Sequence, residues 1–304
     1  MATISDTTLE FFSKATAEQW SYMFSKYKDA LKAKAARRTK KGGPEELIRM
    51  DTWYQEELPK LIHSRKELYI THEELVQLTK WKLMREKFRP NLIDLVRINT
   101  EKAVLTHSKK AFKRLPNLGG AIAMLTCLKG VGPATASAIL AAAFPDQAPF
   151  MADICMLSTP GVETMDYTVA EYLNYTLELK KKADYLNSLD PTQEWNPHKI
   201  ELALWAHFVA GAVETTILAD LPSSEGTTQE AKISNAKDTE SNSREDSSAT
   251  PEKPVAEKRP LSDEDDSVDT VDSFVSAGSS NDPSDFTASK NGNGHEPPTK
   301  KLRA

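Results

Sequence analysis

Through residue 221 the apolar positions recur at helical spacing. Thr16-Ala17-Glu18-Gln19 has the form of a capping box, and behind it Trp20, Phe24, Tyr27 and Leu31 fall on one helical stripe until Lys40-Lys41-Gly42-Gly43-Pro44 breaks the pattern. A second helix is predicted from Glu45. Thr71-His72-Glu73-Glu74 is another capping box, and Leu75, Leu78 and Trp81 or Lys82 continue its stripe to Arg85. Arg89-Pro90 restarts the chain into an apolar run at 91–96. Further helices are predicted over 100–115, 166–189 and 197–221, the last with Asn196 as N-cap and Pro197 at the first helical position. With no alternating strand and no internal repeat, the expected fold class is all-α.

Composition shows where this fold should end. All five tryptophans and all eight tyrosines precede residue 222, whereas the last 83 residues hold 15 Ser, 7 Thr and 7 Pro but only nine residues from the Val, Ile, Leu, Met, Phe, Trp, Tyr and Cys set. Such a mixture cannot bury enough apolar surface to offset chain entropy, so a disordered tail is expected over 222–304. Residues 1–43 read as an N-terminal helix and basic linker, and 44–221 as the helical domain. The net charge of −5 hides the same unevenness, because residues 26–129 carry 24 Lys+Arg against 12 Asp+Glu while 130–221 carry 4 against 12. A basic surface able to meet nucleic acid is therefore compatible with an acidic chain.

Several chemistries drop out. No apolar run reaches the ~18–20 residues of a membrane span, and the first residues have neither the basic flank nor the apolar stretch of a secretory signal, so no membrane partner and an intracellular protein are expected. Cys127 and Cys155 are too few for a disulfide framework, a cysteine-ligated zinc or an iron–sulfur cluster, and no two histidines stand at H-x-x-x-H spacing. No metal site and no cofactor are expected.

The most informative stretch is residues 118–140, where two short apolar segments are joined by Lys129-Gly130-Val131-Gly132-Pro133. Gly130 and Gly132 allow a tight hairpin turn, Val131 can anchor it inward, and Pro133 suits the start of the second helix. The unpaired N–H groups at that helix start could point at a phosphate, which makes Lys129, Gly130, Val131, Gly132, Ala134 and Thr135 the candidate phosphate-binding residues. A glycine turn packed inside the core is the alternative. Eleven Lys+Arg and three acids lie within 80–114, giving a candidate basic patch of Lys80, Lys82, Arg85, Lys87, Arg89, Lys109, Lys110, Lys113 and Arg114. A solvated helix face would read the same way. Trp81, Phe88, Trp195 and Trp205 could stack on a flipped base, although aromatics at helical spacing more often belong to the core.

These residues resemble the helix-hairpin-helix motif of DNA-binding proteins, and the stretch through Asp153 is similar to the helix-hairpin-helix DNA glycosylase superfamily of endonuclease III-like enzymes. The resemblance implies duplex DNA as partner and places Asp153, 21 positions beyond Gly132, at the catalytic position. A carboxylate there can stabilise oxocarbenium charge on the sugar and orient the attacking water. Asp153 would equally suit the cap of a helix beginning at Ile154. The Schiff-base lysine of bifunctional members corresponds to Ala134, so the resemblance implies base removal without strand cleavage at that position. The iron–sulfur cysteines are absent, and a monovalent cation at the hairpin, as in some proteins of this type, is allowed. The expected fold thus becomes a multi-helix domain containing a helix-hairpin-helix motif. In the tail, Lys300, Lys301 and Arg303 form a cluster resembling a nuclear-localisation signal, with Lys258-Arg259 as a distant partner, which predicts an import receptor and a nuclear protein. A catalytically silent DNA-docking or chromatin-associated scaffold, and a helical protein-interaction domain with a structural hairpin, are the alternative functions.

Overall fold

The structure is a computed structural model that describes residues 4–38, 43–162 and 165–223. The segment expected to be a disordered tail, with Lys300, Lys301 and Arg303, lies outside the described residues apart from its first two positions. The described chain is helical throughout, with no strand among the described residues. The helices are α1 (Ile4–Lys14), α2 (Ala17–Ser25), α3 (Tyr27–Ala36), α4 (Gly43–Thr52), α5 (Leu58–His63), α6 (His72–Arg85) and α7 (Leu92–Arg97), then α8 (Glu101–Phe112), α9 (Leu118–Leu125), α10 (Pro133–Ala143), α11 (Asp153–Leu157), α12 (Val169–Leu189) and α13 (Pro197–Val213). A π-helical turn, Trp53–Glu57, joins α4 to α5.

The capping sequences do what their chemistry suggests. Thr16 and Thr71 each accept the N3 backbone N–H while the N3 side chain returns the bond, and Asn196 caps α13 ahead of Pro197. Several predicted helices differ in extent, among them the one expected over 197–221, which ends at Val213 and is followed by a separate 3-10 turn, Thr215–Leu218. The stripe from Trp20 to Leu31 is divided by Lys26 (φ −88°, ψ 1°) into α2 and α3, both packed on α13. The helix expected from 166 begins instead at Val169, because Thr168 with Glu171 forms a third capping box.

Two helices form the interior. α13 is buried on most of its circumference, its polar His198, Glu201 and His207 included, and packs against α1, α2, α3, α11 and α12. α10 carries six alanines in eleven residues, all but Pro133 buried, and its small side chains let α5, α6 and α9 approach closely. α1, α2 and α3 all pack on α13, and the described residues fall in one compact unit. No helix among the described residues is long and apolar enough to cross a membrane.

His207 ties α13 to α1, with its Nδ1 3.1 Å from the Thr8 hydroxyl and its ring stacked 4.3 Å from Phe11. Burial pulls its pKa down to about 4. The folded state therefore resists a proton that an unfolded chain takes up near pH 6.5, so stability is full above that pH and is lost as pH falls toward 4. Between pH 7 and pH 5 this group alone should remove about 2 kcal/mol. Denaturant unfolding of the wild type and of His207→Gln at both pH values checks this: the variant should lose much less on acidification, and an equal loss would discard the assignment.

Candidate nucleic-acid interface

α9 opens with Asn117 accepting the Gly120 N–H, and its last turn leads into residues 126–132, which reverse the chain into α10. Leu128 and Val131 are buried and fix the turn from inside. Asn99, beyond the end of α7, clamps it from outside: its Oδ1 accepts the Lys129 N–H at 2.8 Å, and its Nδ2 donates to the carbonyls of Lys129 and Val96 at 2.8 and 2.7 Å.

The two glycines answer to different demands. Gly130 has φ +75°, and a Cβ there would stand 3.0 Å from Leu95 and Val96 side chains and 3.1 Å from the Val96 nitrogen. Both the left-handed backbone and the close approach to α7 require glycine. Gly132 has an extended φ of −94° that any residue adopts, is exposed, and has nothing within 4 Å of where a Cβ would sit. Neither conformation nor packing explains its missing side chain. Among the described residues, the N–H groups of Gly132 and Ala134 have no intramolecular acceptor, and they lie at the start of α10 where the helix dipole favours an anion.

Beyond α10, residues 148–152 are buried, and side chains satisfy several of their backbone groups. The Met151 N–H donates to Ser137 Oγ, and the hydroxyls of Tyr172 and Tyr175 donate to the carbonyls of Pro149 and Phe150. This buried segment delivers Asp153 to the first position of α11. Ala152, not Asp153, is the N-cap there, and neither makes a side-chain capping bond. Instead, Tyr167 Oη donates to Asp153 Oδ2 at 2.9 Å while accepting from Arg89 Nη2 at 2.8 Å. Tyr167 does so with φ +57°, a left-handed conformation that a bulky residue adopts only when its surroundings impose it. Burial and the bond to Asp153 both push the Tyr167 hydroxyl up, so it stays a proton donor to the carboxylate.

Gly130, Gly132, Thr135, Asp153, Tyr167 and Phe150 line one open cleft of about 290 Å³ together with Lys82, Glu86, Lys87 and Arg89. That volume is close to the lower end of the ~300–1,000 Å³ of ligand pockets. The candidate cations do not form one patch. Lys82, Lys87 and Arg89 reach the cleft, and Lys129 is exposed on the turn. Lys109 and Lys113 pair with Glu67, and with Lys110 and Arg114 they occupy the end of α8 without lining the cleft; Lys80 faces a separate groove with Arg38 and Phe88. Arg85 is a correction to the basic patch, because it is fully buried, held by Glu201 at 2.7 Å and Glu86 at 3.0 Å and stacked 4.5 Å over Trp205. A charge run along a helix includes whichever residue the helix turns inward.

Trp81, Trp195 and Trp205 are core residues, and Phe88 alone of the four candidate stacking aromatics is exposed. Phe150, Tyr167 and Asn99 are the site residues that sequence reasoning missed. Val131, Ala134 and Thr135 are buried, and the N–H groups of Val131 and Thr135 are taken by the Leu128 and Gly132 carbonyls, so of the three only the Ala134 N–H is left as an anion contact. Among the described residues no three His, Cys, Asp or Glu side chains gather as a metal site. No protein-family model, curated protein or solved structure matches the chain.

Proposed function

We propose that the protein binds duplex DNA through the turn before α10, in the manner of the helix-hairpin-helix glycosylases it resembles, and that Asp153 promotes hydrolysis of the N-glycosidic bond of a nucleotide turned into the cleft. The observation that carries this reading is the position of Gly132: the open space before unpaired backbone N–H groups adjoins the cleft that holds an oriented carboxylate. Lys129, Lys87 and Arg89 supply the charge for neighbouring phosphates. Tyr167 supplies aromatic surface for the extruded base, and Asp153, held by Tyr167, faces the developing cation on the sugar. In this reading the protein is nuclear, and the acidic residues of the C-terminal segment compete with DNA for the cations.

Paired glycine substitutions test the binding half. Gly130→Ala should destabilise the fold by at least about 1–2 kcal/mol, the cost of a left-handed non-glycine residue. Gly132→Val should melt as the wild type does but bind a duplex at least about tenfold more weakly, the equivalent of one lost charge-assisted contact. Fluorescence anisotropy on a labelled duplex, repeated across salt concentrations, reads the effect. Unchanged affinity in Gly132→Val would remove the turn from the interface, and absence of duplex binding even at low salt would remove the DNA reading.

A further inference from the structure

A second cavity, of about 470 Å³, shares no lining residue with the cleft and opens between α2, α3, α4, the π-helical turn and the start of α13. Both irregularities of the first helices border it: Ser25 stands at the break between α2 and α3, and Gln55 and Glu56 come from the π turn, an element frequent at functional sites. Phe24, Leu31, Ile48 and Leu202 give apolar walls, and Asp51 lies among them with 3% of its surface exposed. Its Oδ1 accepts the Tyr27 hydroxyl at 2.8 Å and Trp81 Nε1 at 2.9 Å, whereas its Oδ2 accepts no bond from any described residue and is open to the cavity. Arg85 touches Tyr27 but is committed to Glu201 and Glu86, and Lys28 at the mouth is held by Glu56 at 2.8 Å. Three largely buried carboxylates, Asp51, Glu86 and Glu201, are thus linked to one buried guanidinium, Asp51 only through the Tyr27 hydroxyl. A buried carboxylate so placed is short of a cation. Burial pushes the Asp51 carboxyl up, and Arg85 and the bonds from Trp81 and Tyr27 oppose the shift.

We propose that this cavity binds a small molecule that carries a primary ammonium on an apolar body, with the ammonium on Asp51 Oδ2 and the body against Phe24, Leu31, Ile48 and Leu202. The volume falls within the ~300–1,000 Å³ of ligand pockets, and apolar walls around a few fixed polar groups are their usual lining. A primary ammonium brings three donors. Asp51 Oδ2 takes one, and Gln55 Oε1, which meets His198 Nε2 at 2.9 Å, keeps a second lone pair for another. Tyr27 and Trp81 already hold the carboxylate in one orientation, so little ordering is left for the ligand to impose. An anion would meet the Asp51 charge, and a neutral body of the same shape would gain apolar burial alone. The site is independent of the DNA reading, since it shares no residue with the cleft.

The test is a calorimetric titration of the full-length protein, in an amine-free phosphate buffer, with 2-phenylethylamine and with 2-phenylethanol as the uncharged probe of the same shape. The amine should bind at one site and at least about tenfold more tightly than the alcohol, the equivalent of one charge-assisted hydrogen bond. Asp51→Asn keeps an acceptor for Tyr27 and Trp81 but removes the charge, and it should erase the difference between the two probes. Thr52→Trp, at an exposed position of the cavity wall, should fill the space without touching Asp51, so amine binding should be lost while the melting temperature hardly moves. Should Asp51→Asn fail to fold, Thr52→Trp decides alone. Equal affinity for the two probes, no amine binding at millimolar concentration, or amine binding undiminished in Thr52→Trp or in folded Asp51→Asn would each overturn the proposal.

Discussion

Arg85→Met should destabilise the protein by about 3–5 kcal/mol, because it strips a buried anion of its partner. Arg85 and Glu201 are wholly inaccessible to water, and Arg85 also donates to Glu86 and to the Tyr27 hydroxyl. Burial pushes the Glu201 carboxyl up, but Arg85 and His198 more than offset this, so it lies below the ordinary carboxylate range and is a charged group when folded. With Arg85 gone, Glu201 keeps only the Cys155 thiol at 3.8 Å and His198, whose Nδ1 is 3.3 Å away. A loss of that size should lower the melting temperature by on the order of 10 °C. Adding Glu201→Leu to Arg85→Met should restore more than half of the lost stability, since it removes the uncompensated charge. Thermal or denaturant unfolding of both variants decides it: a double variant no more stable than the single one would mean that Arg85 acts by packing on Trp205, Trp81 and Phe150, not by charge.

Asp153→Asn should lower the single-turnover rate of base release by about 100-fold to 10,000-fold, the range for a positioned acid–base group. The substitution keeps the shape of the side chain and its place in the first turn of α11, so melting and duplex affinity should hardly move. Tyr167→Phe removes only the hydrogen bond that orients the carboxylate and should cost about tenfold, or ~1.4 kcal/mol of transition-state stabilisation. The order of the two effects is the informative part. A Tyr167→Phe defect as large as that of Asp153→Asn would move the chemistry from the carboxylate to the phenol.

Much of the helical order is legible in the chain because capping is local. Thr16, Thr71 and Asn196 mark helix starts by groups three residues apart, and the structure uses all three. The break at Lys26 left no trace, since Tyr27 and Leu31 continue the stripe of Trp20 and neither glycine nor proline intervenes. The π turn at Trp53–Glu57 likewise has no local signature. Arg85 was legible in part: it falls on the stripe of Leu78 and Trp81, which points it inward, but its partner Glu201 lies 116 positions away on a helix with apolar neighbours. The cleft mixes both cases. The glycines and Asp153 stand out by residue type, whereas Tyr167, Phe150 and Asn99 matter only through where the fold puts them. No residue pattern announces that Tyr167 will take a left-handed backbone above Asp153.

The most direct test of the central claim is a single-turnover assay of the full-length wild-type protein on a panel of duplexes, each carrying one damaged or mispaired base. Abasic sites are revealed by alkaline strand scission. The account predicts abasic product from at least one duplex in the panel, with the protein bound to DNA through the cleft. Duplex binding accompanied by no released base from any member of the panel would contradict the assignment of Asp153 as a catalytic carboxylate.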